Sequence, residues 1–83
     1  MKDVKMYCWT WCPYCIRAKQ LLDAKGVKYQ EGLIDGDREA LQNLKKQTGS
    51  GTVPQIFVDG QFVGGCDDIY QMDAEGRFEE VFK

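Results

Sequence analysis

Histidine is absent from the chain, and its absence removes several chemistries together. No Cys–His or Ser–His–Asp nucleophile pair can form, and neither can a Cys2His2 zinc finger or an HExxH metalloprotease helix. A basic surplus is also missing. The formal net charge is −2, which argues against nucleic acid or an anionic membrane as partner, since phosphate binding draws on clustered Lys and Arg. Nor is there a long apolar run. The start, Met1-Lys2-Asp3-Val4-Lys5, does not read as a signal peptide, and nothing approaches the roughly 18 apolar residues of a membrane span. What the chain does hold is four cysteines in 83 residues, with 43% hydrophobic and 12% aromatic content. That is ordinary globular composition at a length that allows one domain, residues 1–83. Without an export signal the expected location is cytoplasmic, where structural disulfides are rare and cysteines are more often catalytic or metal-binding.

Hydrophobic periodicity divides the chain. Val4, Met6 and Cys8 alternate with Lys5, Tyr7 and Trp9 as a first strand. Pro13 suits the first turn of a helix whose stripe is Ile16, Ala18, Leu21, Leu22 and Ala24, with Gly26 as its stop. Residues 27–34 read as a second strand and Asp37 to Thr48 as a second amphipathic helix, with Ala40, Leu41 and Leu44 inward. Residues 55–58 and 61–63 flank Asp59-Gly60, a strong hairpin signal. A last helix is expected from Cys66 to about Met72, with a further short one near the C-terminus. The order β-α-β-α-β-β-α predicts an α/β fold, a four-stranded mixed sheet flanked by helices, with a right-handed crossover and a terminal antiparallel hairpin.

The chemistry centres on Cys12-Pro13-Tyr14-Cys15, where the first strand hands over to the first helix. Cys12 falls at or near the N-cap, facing unpaired N–H groups and the positive end of the helix. A thiolate is stabilised there and its pKa is lowered, which makes a nucleophile without histidine. Cys15 lies one turn on and can attack a disulfide formed at Cys12. Two rival readings compete. A zinc site needs four ligands, and only Cys8 and Cys66 remain to complete it. Cys8, Cys12 and Cys15 also spell C-x3-C-x2-C, a radical-SAM-like spacing, but such enzymes need a far larger barrel, and Cys8 belongs to a strand. The strand–CxxC–helix context favours a redox dithiol. Cys8 is expected as a small core hydrophobe in the strand and Cys66 as a semi-buried structural cysteine.

Four segments carry a family resemblance: Cys12-Pro13-Tyr14-Cys15, Arg17-Ala18-Lys19 with Leu21-Leu22, Thr52-Val53-Pro54-Gln55-Ile56-Phe57, and Gly64-Gly65-Cys66-Asp67-Asp68. In this order the chain resembles a short bacterial dithiol glutaredoxin. The resemblance implies a thioredoxin-like fold and glutathione as reductant and co-substrate, with no metal. It implies Cys12 as nucleophile and Cys15 as resolving thiol, acting on protein disulfides and protein–glutathione mixed disulfides; ribonucleotide reductase is a family example that nothing here singles out. A monomer is expected. Alternatives in the family are a glutathione-ligated [2Fe–2S] carrier, disfavoured by Pro13, and a redoxin served by thioredoxin reductase.

The resemblance also implies the glutathione contacts. Pro54 is expected cis, leaving the Val53 backbone free to pair with the glutathione cysteine, with Thr52 among the contacts. Gly65 allows close approach of the backbone. Cys66 and Asp67 open a helix whose N–H groups suit the γ-glutamyl carboxylate, with an Asp side chain for the ammonium. Tyr14 is expected as a lid beside the site, and Gln42 or Arg38 as the partner of the glycine carboxylate.

One departure stands out. Many glutaredoxins carry lysine three residues before the first active-site cysteine; this chain has Trp9, so glutathione loses a charge-assisted contact. Replacing Trp9 with Lys should therefore raise glutathione-dependent turnover, and steady-state kinetics that do not change would contradict this reading.

Overall fold

The computed structural model describes residues 2–83. Eight elements follow in chain order: β1 (Val4–Cys8), α1 (Pro13–Ala24), β2 (Gln30–Leu33), α2 (Arg38–Thr48), β3 (Gln55–Val58), β4 (Gln61–Gly64), α3 (Cys66–Ala74) and α4 (Phe78–Phe82). The strands form one mixed sheet in the order β2-β1-β3-β4. β1 runs parallel to β2 and antiparallel to β3, and β3 pairs antiparallel with β4. The expected crossover and hairpin are both present. Asp59 and Gly60 take φ of 51° and 79°, the left-handed pair that a two-residue hairpin turn requires.

Strand alternation separates the two faces of the sheet. Val4, Met6 and Cys8 of β1 and Ile56 and Val58 of β3 are buried on one face. α1 packs there with α3, joined by the Tyr70 hydroxyl donating to the Arg17 carbonyl at 2.9 Å and by the Lys25–Asp73 ion pair. Phe78 and Phe82 of α4 stack at 4.4 Å between ring centroids, fully inside the same core. On the other face Gln55 stands in register with Tyr7. It accepts from the Thr48 hydroxyl at the end of α2, so α2 covers that side.

Three expectations shift. The buried stripe of α1 is Cys15, Ala18, Leu21 and Leu22. Ile16 is 39% exposed and Ala24 is exposed as well, because Cys15 occupies the inward seat one residue before Ile16. β2 is shorter than residues 27–34, since Val27 is used to close α1: its N–H donates to the Leu22 carbonyl at 2.9 Å beside Gly26, whose φ is 71°. α2 begins after Asp37, which caps it by accepting from the Ala40 N–H at 3.0 Å.

Candidate active site

Because α1 runs antiparallel to β1, its N-terminus lies over the C-terminal end of the sheet, the end where α/β folds place their sites. Cys12 is the N-cap, with extended backbone (φ −153°, ψ 113°), Pro13 follows at the first helical position, and the thiol makes no capping hydrogen bond. The Cys12 carbonyl begins the helix by accepting from the Ile16 N–H at 3.0 Å. The approach to Cys12 is tied down by Asp35, just beyond β2, whose carboxylate accepts from the Thr10 N–H at 2.8 Å and from the Thr10 hydroxyl at 3.0 Å.

Cys12 opens onto a cleft of about 570 Å³. One wall is the segment before β3, with the Val53–Pro54 bond in the cis form. That segment is organised by Gln55, fully buried in spite of its polarity. Its amide donates to the carbonyls of Ser50 and Thr52, satisfying a buried polar group while fixing the loop. The opposite wall is the turn into α3. The segments meet closely at Gly65, where an added Cβ would stand 3.1 Å from the Pro54 carbonyl oxygen. Gly64 takes φ of 132°, and an added Cβ would fall 2.5 Å from the Asp68 Cβ. Asp68 folds back to accept from the Gly65 N–H at 2.8 Å.

The cleft thus gathers Cys12, Tyr14, Thr52, Val53, Pro54, Gly65, Cys66 and Asp67 from three regions of the chain. Gln42 is exposed on α2 and is not among the lining residues, and neither is Arg38. From α2 it is the stem of Lys45 that reaches the rim, lying 3.3 Å from where a Cβ on Gly51 would stand. Sequence reasoning missed Ser50, Gly51 and Phe62 as lining residues, and Asp35 and Gln55 as braces. A polar residue directly inside the apolar run after Pro54 was the one readable sign of Gln55. Trp9 is part of the cleft wall, whereas Trp11 stands outside it, 84% exposed.

The four cysteines are all free thiols but differ in setting. Burial pushes the Cys15 thiol up to about 12; a backbone hydrogen bond from Trp9 acts against this, and the side-chain hydrogen bond to Cys12 adds to it. Burial likewise raises Cys8, against the pull of Lys19, and raises Cys66, against the pull of Arg17. These three stay protonated near neutral pH, and Cys15 offers its proton towards the Cys12 sulfur. Among the described residues no three His, Cys, Asp or Glu side chains converge to hold a metal ion. Native iodoacetamide treatment near neutral pH should therefore add one carbamidomethyl group, on Cys12, with Cys8, Cys15 and Cys66 modified only after unfolding. Peptide mass mapping that finds native adducts on Cys15 or Cys66 would contradict this division.

Residues 4–63 match the family model described as Glutaredoxin. Over 83 residues, the full length of both chains, the sequence is 48% identical to Glutaredoxin 3 of Escherichia coli (strain K12). That relative extends the likeness through α3, beyond the span of the family model. The solution structure of glutaredoxin from Brucella melitensis superposes with a TM-score of 0.87 at 40% identity, covering 100% of this chain and 90% of that one. The crystal structure of a buckwheat glutaredoxin–glutathione complex superposes with a TM-score of 0.89 at 30% identity, covering 98% of this chain and 76% of that one. With its thioredoxin-like sheet and its Cys-Pro-Tyr-Cys helix start, the chain belongs to the glutaredoxin family.

Proposed function

We propose that this glutathione-dependent thiol–disulfide oxidoreductase uses Cys12 as nucleophile and Cys15 as resolving thiol. The observation that carries the assignment is the unequal setting of two largely buried sulfurs: Cys12, 7% exposed, lines the cleft, whereas Cys15, 1% exposed, does not. The Cys12 thiolate attacks a substrate disulfide, forming a mixed disulfide and expelling the second sulfur as a thiolate. The proton held on Cys15 goes to that leaving group. The resulting Cys15 thiolate attacks the Cys12 sulfur, which closes Cys12–Cys15 and releases the reduced substrate. Two glutathione thiols then restore the dithiol and leave as glutathione disulfide. For a glutathionylated protein, a second glutathione can take the mixed disulfide apart without Cys15.

Glutathione is assigned to the cleft by matching chemistry. The Val53 backbone beside Pro54 pairs with the peptide backbone of the glutathione cysteine, flanked by Thr52, and Tyr14 covers it. The γ-glutamyl carboxylate meets the N–H groups at the start of α3, around Gly65 and Cys66. The ammonium meets Asp67, since Asp68 already serves Gly65. Gln42 is retained as a contact of the glycine carboxylate, from outside the residues that line the cleft. The protein substrates are disulfide-bearing and glutathionylated proteins, and the chain acts as a one-domain monomer in the cytoplasm. Among the described residues no helix is long and apolar enough to cross a membrane.

Separating the two cysteines tests the mechanism. Cys15→Ser should keep deglutathionylation and lose reduction of protein disulfides by about tenfold or more, whereas Cys12→Ser should lose both, each followed with glutathione reductase coupling. Turnover that survives in Cys12→Ser would overturn the assignment.

A further inference from the structure

Six large hydrophobic side chains stay exposed among the described residues: Trp9, Trp11, Tyr14, Ile16, Leu33 and Phe62. Trp9, Tyr14 and Phe62 line the cleft, while Trp11, Ile16 and Leu33 do not. In the second group Trp11 and Ile16 bracket the start of α1, and Leu33 ends the strand paired with β1, in register with Cys8. Tyr14 and Ile16 flank the buried Cys15 on α1, and a helix turns about 100° per residue, so Tyr14 faces the cleft while Ile16 faces away from it. Trp11 and Ile16 stand at the positions before and within the first turn that a hydrophobic staple uses, and both stay open to solvent, Trp11 at 84%.

Leu33 joins them through the packing of α1 on β2. Lys19 and Glu31 form an ion pair at 3.0 Å, which fixes the lateral match of helix and strand. From that pair, Ile16 is one turn back along α1, about 4.5 Å. Leu33 is one pleat forward along β2, about 6.6 Å in the same direction, and on the same face as Glu31. Ile16 and Leu33 therefore both fall at the catalytic end of this helix–strand pair. The charges that border them are engaged: Lys19 and Glu31 neutralise each other, and the Asp35 carboxylate is held by Thr10. Exposed large apolar side chains gathered at one end of a molecule mark an interaction site when they form one patch.

We propose that Trp11, Ile16 and Leu33 form a docking surface for the apolar polypeptide segment next to a substrate's reacting cysteine. The proposal rests on the assignment of Cys12 as nucleophile and names the substrate class of that site. Its occupant follows from continuity with the reacting sulfur. With glutathione in the cleft, the protein half of a mixed disulfide leaves on the other side of Cys12, where the uncharged surface accepts apolar side chains. Cys12 attacks the glutathione sulfur, a new Cys12–glutathione disulfide replaces the old bond, and the polypeptide departs as a thiolate that takes up a proton. No net oxidation occurs in that step.

Three probes test this: a glutathionylated peptide with Leu and Phe beside its cysteine, one with Ser and Gly there, and glutathionylated 2-mercaptoethanol. The expected kcat/KM favours the apolar peptide about tenfold over the polar one, with little dependence on ionic strength. Leu33→Thr with Ile16→Gln should bring that ratio close to one while changing glutathionylated 2-mercaptoethanol turnover by less than about twofold. A wild-type protein without the preference, or a preference unchanged in the variant, would overturn the docking surface. So would a dimer in sedimentation that the same variant abolishes, because a second copy would then be the occupant. Failure to turn over all three probes would instead count against Cys12 as nucleophile.

Discussion

Burial of one stripe of α1 governs the arrangement. Cys15, Ala18, Leu21 and Leu22 pack against the central strands and α3, and a fully buried aliphatic side chain contributes roughly 1.5–3 kcal/mol. The same burial orients the first turn. Once Cys15 is held inward, Cys12 has to come out at the rim one turn earlier, and Pro13 accepts the helix start without an unmet N–H. A packing constraint thereby gives the two thiols different settings. The inner one is desolvated and keeps its proton, and the outer one meets the cleft.

Everything around Cys12 is assembled by contacts distant in sequence. Asp35 grips Thr10, Gln55 braces the Ser50–Thr52 loop, and Gly65 lets the start of α3 close on the Pro54 carbonyl. The lining residues include Asp67 and Asp68 but no Lys or Arg. Affinity for an anionic peptide such as glutathione must then come largely from backbone N–H groups and helix ends rather than from paired charges. Trp9, in the wall of the cleft, offers apolar contact in place of charge.

The sequence disclosed the parts whose chemistry is local. Pro13 marked the helix start, Asp59-Gly60 the hairpin, and Cys12-Pro13-Tyr14-Cys15 the junction of the first strand and helix. Thr52-Val53-Pro54 and Gly65-Cys66-Asp67 could be placed at one cleft through the family resemblance. What escaped depended on packing. Ile16 and Cys15 are neighbours with similar apolarity, and only the angle at which α1 meets the sheet decides which faces inward. Gln42 and Lys45 are both polar on α2, and the rotation of that helix sets which one borders Gly51. Val27 read as a strand residue because its closing bond to Leu22 is invisible in a hydropathy pattern. Asp35 and Gln55 act through partners that only the folded chain brings near.

Packing sets Cys12 in the wall of the cleft and Cys15 beneath it; the proposal that glutathione binds in that cleft is tested most directly by a crystal structure of Cys15→Ser trapped as its mixed disulfide with glutathione. The expected structure has a Cys12–glutathione bond, the glutathione cysteine backbone paired with Val53, its ammonium beside Asp67, and the substituted side chain at position 15 still buried. Glutathione lying instead across Trp11, Ile16 and Leu33, or bonded without touching Val53 and Asp67, would contradict it.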